Sequence, residues 1–176
     1  MLRSLFISMT LSMVGCGRAS SPAAPAQRAP PAPAADGRWL ATSLEQFDAD
    51  RVLALRGDRA LVVTALWATW CEPCIAEMAE LEAFHNAHPE VVVLGLATDL
   101  PSAGAAIQAV LDRVRPSYPQ AFLGGGEGPF LRRLGLEWDG ILPKTIAIGD
   151  TQLRLSLPSP VTRATLEAAL APYLAR

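Results

Sequence analysis

The stretch WATWCEPC, residues 67 to 74, carries two of the three cysteines of this chain, Cys71 and Cys74. An apolar, β-branched run, ALVVTALW (60–67), precedes them and reads as a buried strand. Ile75, Met78, Leu81 and Phe84 follow at helical spacing. Cys71 therefore falls where a strand hands over to a helix. Unpaired N–H groups and a partial positive charge at a helix N-terminus stabilise a thiolate, the reactive form of sulfur. Pro73 suits the first helical turn, where a missing N–H costs little. Cys74 lies one turn further in, near enough to close a small disulfide ring. The expectation is one exposed nucleophile and one sheltered resolving thiol, since a CxxC at such a junction is a redox signal.

Two other uses of the pair compete. With His85 and His88, the only histidines, the spacing is C-x2-C-x10-H-x2-H, near that of a zinc finger. A continuous helix would put His85 about 16 Å from Cys74 at 1.5 Å per residue. Zinc needs all its ligands within about 2.3 Å, so the physics weighs against a metal clip. The two histidines suit a helix C-terminus, where the dipole favours positive charge. A structural staple is the other alternative, but so short a loop constrains little unfolded-chain entropy.

ALVVTALWATWCEPCIAEMAEL resembles the thioredoxin superfamily, and within it the membrane-anchored TlpA/ResA-like thiol–disulfide oxidoreductases. Trp67, Ala68, Thr69, Trp70, Cys71, Pro73, Cys74 and Glu77 match that group's signature. A second anchor, ILPKT (141–145), resembles the segment whose cis-proline faces the dithiol, the role that falls to Pro143. The similarity spans about residues 40 to 175. It implies a thioredoxin fold, a central mixed β-sheet flanked by helices, with an N-terminal extension. It also implies substrate contacts at Trp70, Leu142 and Pro143. Trp67 reads as core, and Trp70 as an apolar platform beside the nucleophile.

Departures from the pattern sharpen the chemistry. The strand position six residues before the first cysteine, usually a polar residue, is Ala65, so that side chain cannot carry a proton. Glu77, one turn beyond Cys74, is the remaining candidate for acid–base work, against the plain alternative of an exposed helical glutamate. Ala79 replaces a proline, and Lys144 replaces the usual Thr or Ser after Leu142-Pro143. A lysine there either lowers a thiolate pKa or points to solvent. Glu72, between the cysteines, opposes the thiolate charge.

Elements must hold these residues in place. The 176 residues suffice for one domain, and 51 % are apolar. A formal charge of −2 without long runs of one sign argues against nucleic acid as a partner. Capping patterns at Thr42 and Ser43 predict a helix from Leu44 to about Leu55. VVVLGLA (91–97) is a second buried strand, PSAGAAIQAVLDRV a helix, and YPQAF a short strand before a glycine-rich loop. PFLRRLG is a short helix, KTIAIGDTQLRLSL a hairpin turning at Gly149-Asp150, and a helix capped by Thr162 closes the chain. Alternating strands and helices followed by a hairpin make an α/β domain whose first strands are parallel.

The N-terminus points to export. Arg3 precedes a short apolar run ending in MVGC, which resembles a lipobox with Cys16 as the lipidated residue. Residues 1–15 are then a lipoprotein signal peptide, 16–37 the lipidated cysteine and a stiff Pro/Ala-rich linker, and 38–176 the folded domain. No Asp follows Cys16 to suggest inner-membrane retention, which slightly favours an outer membrane where there are two.

The leading function is a lipid-anchored, extracytoplasmic thiol–disulfide oxidoreductase using no cofactor, with its domain facing the periplasm or cell exterior. Cys71 attacks a substrate disulfide and Cys74 resolves the mixed disulfide. The resemblance implies a reductase acting on exported proteins, apocytochrome c among them, fed by a membrane dithiol donor. The alternative is a non-enzymatic Cu(I) chaperone binding through the two thiolates.

Overall fold

The structure is a computed structural model that describes residues 46–57, 61–123, 126–150 and 152–174. Cys16, the signal peptide, the linker and the start of the domain near Trp39 lie outside the described residues.

Among the described residues, five strands form one sheet, flanked by five helices. In chain order the elements are α1 (Ala49–Arg56), β1 (Val62–Trp67), α2 (Glu72–Ala87), β2 (Val92–Ala97), α3 (Gly104–Val114) and β3 (Gln120–Phe122). There follow α4 (Glu127–Arg133), β4 (Lys144–Ile148), β5 (Arg154–Ser156) and α5 (Arg163–Leu174), and a 3₁₀ turn, Pro101–Ala103, leads into α3. The strand order is β3-β2-β1-β4-β5. The β1–β2 and β2–β3 pairs are parallel, whereas β4 runs antiparallel to both β1 and β5. The central strands are buried along their whole length, as continuous apolar runs between two helical layers require.

One core cluster joins Val62 and Leu66 of β1 to Val52 of α1 and to Phe130 and Leu131 of α4. On the other face, Val63 and Ala65 pack with Leu81 and Phe84 of α2 and Leu166 and Leu170 of α5. A third cluster continues that face toward the chain's cysteines: Trp67, Ala68, Cys71, Cys74, Met78, Ile107 and Val110.

The first helix departs from expectation. It starts at Ala49, with the Asp48 carboxylate accepting the Arg51 N–H at 2.8 Å, and not at Leu44. Gln46 instead forms a bridge with Phe122, and the Phe47 N–H donates to the Phe122 carbonyl at 2.8 Å. Burying the Phe47 ring and pairing its backbone at the sheet edge outweigh a local capping pattern. Asp48 then does the capping. The chain leaves α1 through Gly57 at φ 50°, a left-handed turn that suits glycine. The closing helix is capped as expected, the Thr162 hydroxyl accepting the Thr165 N–H at 3.2 Å.

Candidate active site

Cys71 is the N-cap of α2, and Pro73 lies in its first turn. A tight turn aims the chain into the helix, with the Cys71 N–H donating to the Ala68 carbonyl at 3.0 Å. Asp99, at the end of β2, holds this turn. Its carboxylate accepts the Thr69 N–H at 3.0 Å and the Thr69 hydroxyl at 2.6 Å. Asp99 had no signal as a site residue in the sequence, because only the β1–β2 pairing brings it to Thr69.

Cys71 and Cys74 form a disulfide across a Cα–Cα distance of 5.3 Å. The expected exposed nucleophile is not exposed in this oxidised form. Cys71 is 4 % accessible and Cys74 2 %, because the bond draws both sulfurs into the apolar cluster of Trp67, Met78 and Ile107. The two cysteines differ in their place on the helix. Cys71 stands at its N-terminal end and Cys74 one turn inside.

Leu142 packs against the same cluster, which brings the segment before β4 over the dithiol. The Leu142–Pro143 peptide is cis, as ILPKT implies. Trp67 is core, its indole N–H donating to Gln120 Oε1 at 3.2 Å. Trp70 is 74 % exposed, and Leu100 and Ile141 are 69 % and 64 % exposed. All three lie at one end of the sheet, beyond the C-termini of β1 and β2 and before the N-terminus of antiparallel β4. Sequence reasoning picked out Trp70 but missed Leu100 and Ile141, whose exposure depends on where two loops end.

Glu77 is not a surface residue. It is 3 % accessible, and its Oε1 accepts the Thr145 hydroxyl at 2.5 Å. Its Oε2 is buried as well, and the Val161 N–H faces the carboxylate. Burial raises its pKa above the ordinary carboxylate value, while the Thr145 hydroxyl and the Val161 N–H only partly oppose that. Lys144 follows neither of its expected courses. Its side chain is buried, and its ammonium pairs with Asp139 at 2.9 Å, holding that carboxyl below its ordinary range. The Asp139 carboxylate pairs with the charge that would otherwise be free to act on a thiolate. Glu72 is exposed.

His85 and His88 lie at the far end of α2, which is continuous from Glu72 to Ala87. His88 contacts Glu90 at 3.0 Å and Glu167 of α5 at 3.3 Å, and His85 packs edge-on toward Tyr118. Among the described residues, no three His, Cys, Asp or Glu side chains gather to hold a metal ion. No helix among them is long and apolar enough to cross a membrane.

Solved structures share this architecture. A thioredoxin-related protein from Neisseria meningitidis serogroup B superposes with a TM-score of 0.57 at 25 % identity, over 67 % of this chain and 87 % of that one. The chain has the thioredoxin fold. A secreted thiol–disulfide isomerase from Corynebacterium glutamicum matches with a TM-score of 0.54 at 23 % identity, covering 66 % of this chain and 72 % of its own. A DsbF homologue from Corynebacterium diphtheriae matches with a TM-score of 0.55 at 20 % identity, covering 68 % and 75 %. No protein-family model matches the chain, and no curated protein matches it. The likeness is thus one of fold, and within that fold this chain has a cysteine pair at disulfide distance.

Proposed function

We propose that this protein is an extracytoplasmic thiol–disulfide oxidoreductase working as a disulfide reductase through Cys71 and Cys74. The observation that carries this is the Cys71–Cys74 disulfide at the N-terminus of α2, with the Leu142–cis-Pro143 segment packed on the same apolar cluster. In the reduced protein the Cys71 thiolate attacks one sulfur of a substrate disulfide, which breaks, and the first substrate thiol leaves and takes up a proton. Cys74 then loses its proton and attacks the Cys71 sulfur. The mixed disulfide breaks, and the second substrate thiol leaves and is protonated. Two electrons pass from the cysteine pair to the substrate, and a membrane dithiol donor restores them.

Glu77 takes or returns the Cys74 proton. Its burial raises its pKa above the ordinary carboxylate value, which fits it to take up and return a proton. Trp70, with Leu142 and Pro143, offers the substrate an apolar platform. Cys16 carries the lipid, and the Pro/Ala-rich linker holds the domain off the membrane, facing the periplasm or the cell exterior. Exported protein disulfides, those of apocytochrome c among them, are the substrates.

The reduction potential of the Cys71–Cys74 pair, measured against glutathione, tests the direction. A potential near that of thioredoxin, about −270 mV, supports the reductase. One near about −120 mV would reverse it to an oxidase. For the anchor, Cys16→Ala should move the protein from the membrane to the soluble fraction, and unchanged membrane association would overturn lipidation at that residue.

A further inference from the structure

Neither Lys144 nor Asp139 takes part in disulfide exchange, yet the two are bound across the loop that carries the cis-proline. Lys144 is the first residue of β4. Side chains alternate along a strand, so Lys144 lies on the face of Ile146 and of its β1 partner Leu66, the side of α1 and α4. Thr145 points to the other side, where its hydroxyl meets Glu77 at 2.5 Å. The start of β4 is thus tied down on both faces of the sheet. The Lys144 stem is buried, and its ammonium reaches the rim, where Asp139 Oδ2 accepts from it at 2.9 Å.

Between Asp139 and Lys144 lie Gly140, Ile141, Leu142 and the cis-proline Pro143. The other oxygen of the same carboxylate, Oδ1, accepts the Ile141 N–H at 3.2 Å, an Asx turn that folds the first half of the loop. Gly140, inside that turn, takes φ 79°, which glycine adopts without strain. One carboxylate therefore joins the ends of the loop and fixes its first turn. Leu142 packs inward against two of the apolar clusters. Ile141 beside it is turned out, at the same end of the sheet as Trp70 and Leu100. A loop with no strand or helix pairing of its own depends on side-chain ties of this kind to stay in place. Fixing Ile141 before substrate arrives removes an ordering cost from binding.

We propose that Asp139 is a positioning residue for substrate. Paired with Lys144 and with the Ile141 N–H, it closes the cis-proline loop and holds Ile141 outward as a further contact for a bulky apolar side chain beside the substrate cystine. The inference rests on the disulfide-exchange role proposed above and extends it to what flanks the reacting sulfurs. A small disulfide reaches Cys71 without crossing the loop, whereas a polypeptide lies over it. Asp139 and Lys144 should therefore act on the binding of polypeptide disulfides and not on the exchange step itself.

The test compares insulin with hydroxyethyl disulfide as substrates of the reduced full chain, in wild type, Asp139→Asn, Lys144→Met, the double variant and Ile141→Ser. The substitutions at 139 and 144 nearly conserve volume and remove the ion pair. Each should raise KM for insulin by about 2- to 10-fold, while kcat and the rate with hydroxyethyl disulfide stay within about two-fold of wild type. The double variant should be no worse than the worse single one, because both changes remove the same contact. Ile141→Ser, with the ion pair intact, should raise the insulin KM alike. Amide exchange at Ile141 should quicken in the three variants that break the pair and stay unchanged at Ile75 in α2. A merely structural pair would lower thermal stability and leave KM in place. An unmoved insulin KM in the folded single variants, additive losses in the double one, or an equal fall in the rate with hydroxyethyl disulfide overturns the inference. If wild type exchanges with neither disulfide, the function proposed above fails instead, and exchange at Ile141 still decides whether Asp139 and Lys144 hold the loop.

Discussion

The two faces of the sheet are built to different rules. Against α1 and α4 the core is mainly aliphatic and aromatic, with Val52, Val62, Leu66, Phe130, Leu131 and Ile146, and Thr64 is the buried polar residue that β1 turns to this side. Against α2, α3 and α5 the core also holds Glu77, Thr145, Gln120, Tyr118 and the Trp67 indole N–H, all buried. Buried polar groups are costly unless they are satisfied or used. Their concentration on the face that bears the dithiol is what a proton-coupled thiol reaction needs. The apolar face supplies stability, and the polar face gives up some of it for chemistry.

Breaking the apolar face should separate the two roles most sharply. Leu131, fully buried in α4, should cost about 2–5 kcal/mol on Leu131→Ala. Urea unfolding would show that loss, while disulfide exchange below the melting range should stay near the wild-type rate. On the polar face the order reverses. Glu77→Gln should slow resolution of the mixed disulfide by about 10²-fold at neutral pH and flatten its pH dependence, read by stopped-flow mixing.

The same substitution tests the cost of the buried acid. Because burial raises the Glu77 pKa, the folded protein keeps that proton over a range in which the unfolded chain has lost it. Stability from this group therefore falls as pH rises from the ordinary carboxylate range through the folded value, by about 1.4 kcal/mol for each pH unit that separates the folded from the unfolded pKa. Wild type and Glu77→Gln should be similarly stable near about pH 4, with the variant gaining on wild type as pH rises above the ordinary carboxylate range and the more stable of the two at about pH 8. Thermal melts at the two pH values would check the sign.

Smaller effects sit at the rim. Asp99→Ala removes the acceptor that holds Thr69 and should cost about 1–3 kcal/mol while loosening the Trp70–Cys71 turn, seen as faster amide exchange there. Trp70→Ala should leave stability within about 0.5 kcal/mol, since the ring is 74 % exposed, yet raise KM for a protein disulfide.

Much of this is legible in the chain. β1, α2 and the hairpin follow from runs and periodicities confined to a few neighbouring residues, and the CxxC marks the strand-to-helix junction by itself. What the sequence does not reveal depends on register between distant strands. The row across the sheet of Thr145, Ala65, Gly95 and Gln120 is a product of three pairings. Its one local hint is a glycine inside a β-strand, a sign of close approach by another group. The Lys144–Asp139 pair and the depth of Cys71 likewise arise from how the loop before β4 and the disulfide settle onto the core. The start of α1 differs from the local capping pattern because the backbone of Phe47 pairs with a residue far along the chain.

The central claim is that Cys71 attacks and Cys74 resolves. It is tested most directly by reacting reduced Cys74→Ser and reduced Cys71→Ser with a protein disulfide, digesting each, and mapping the adduct by mass spectrometry. The account predicts a stable mixed disulfide at Cys71 in the Cys74→Ser protein and none in the Cys71→Ser protein. An adduct on Cys74 in the Cys71→Ser protein, with the Cys74→Ser protein inert, would contradict it.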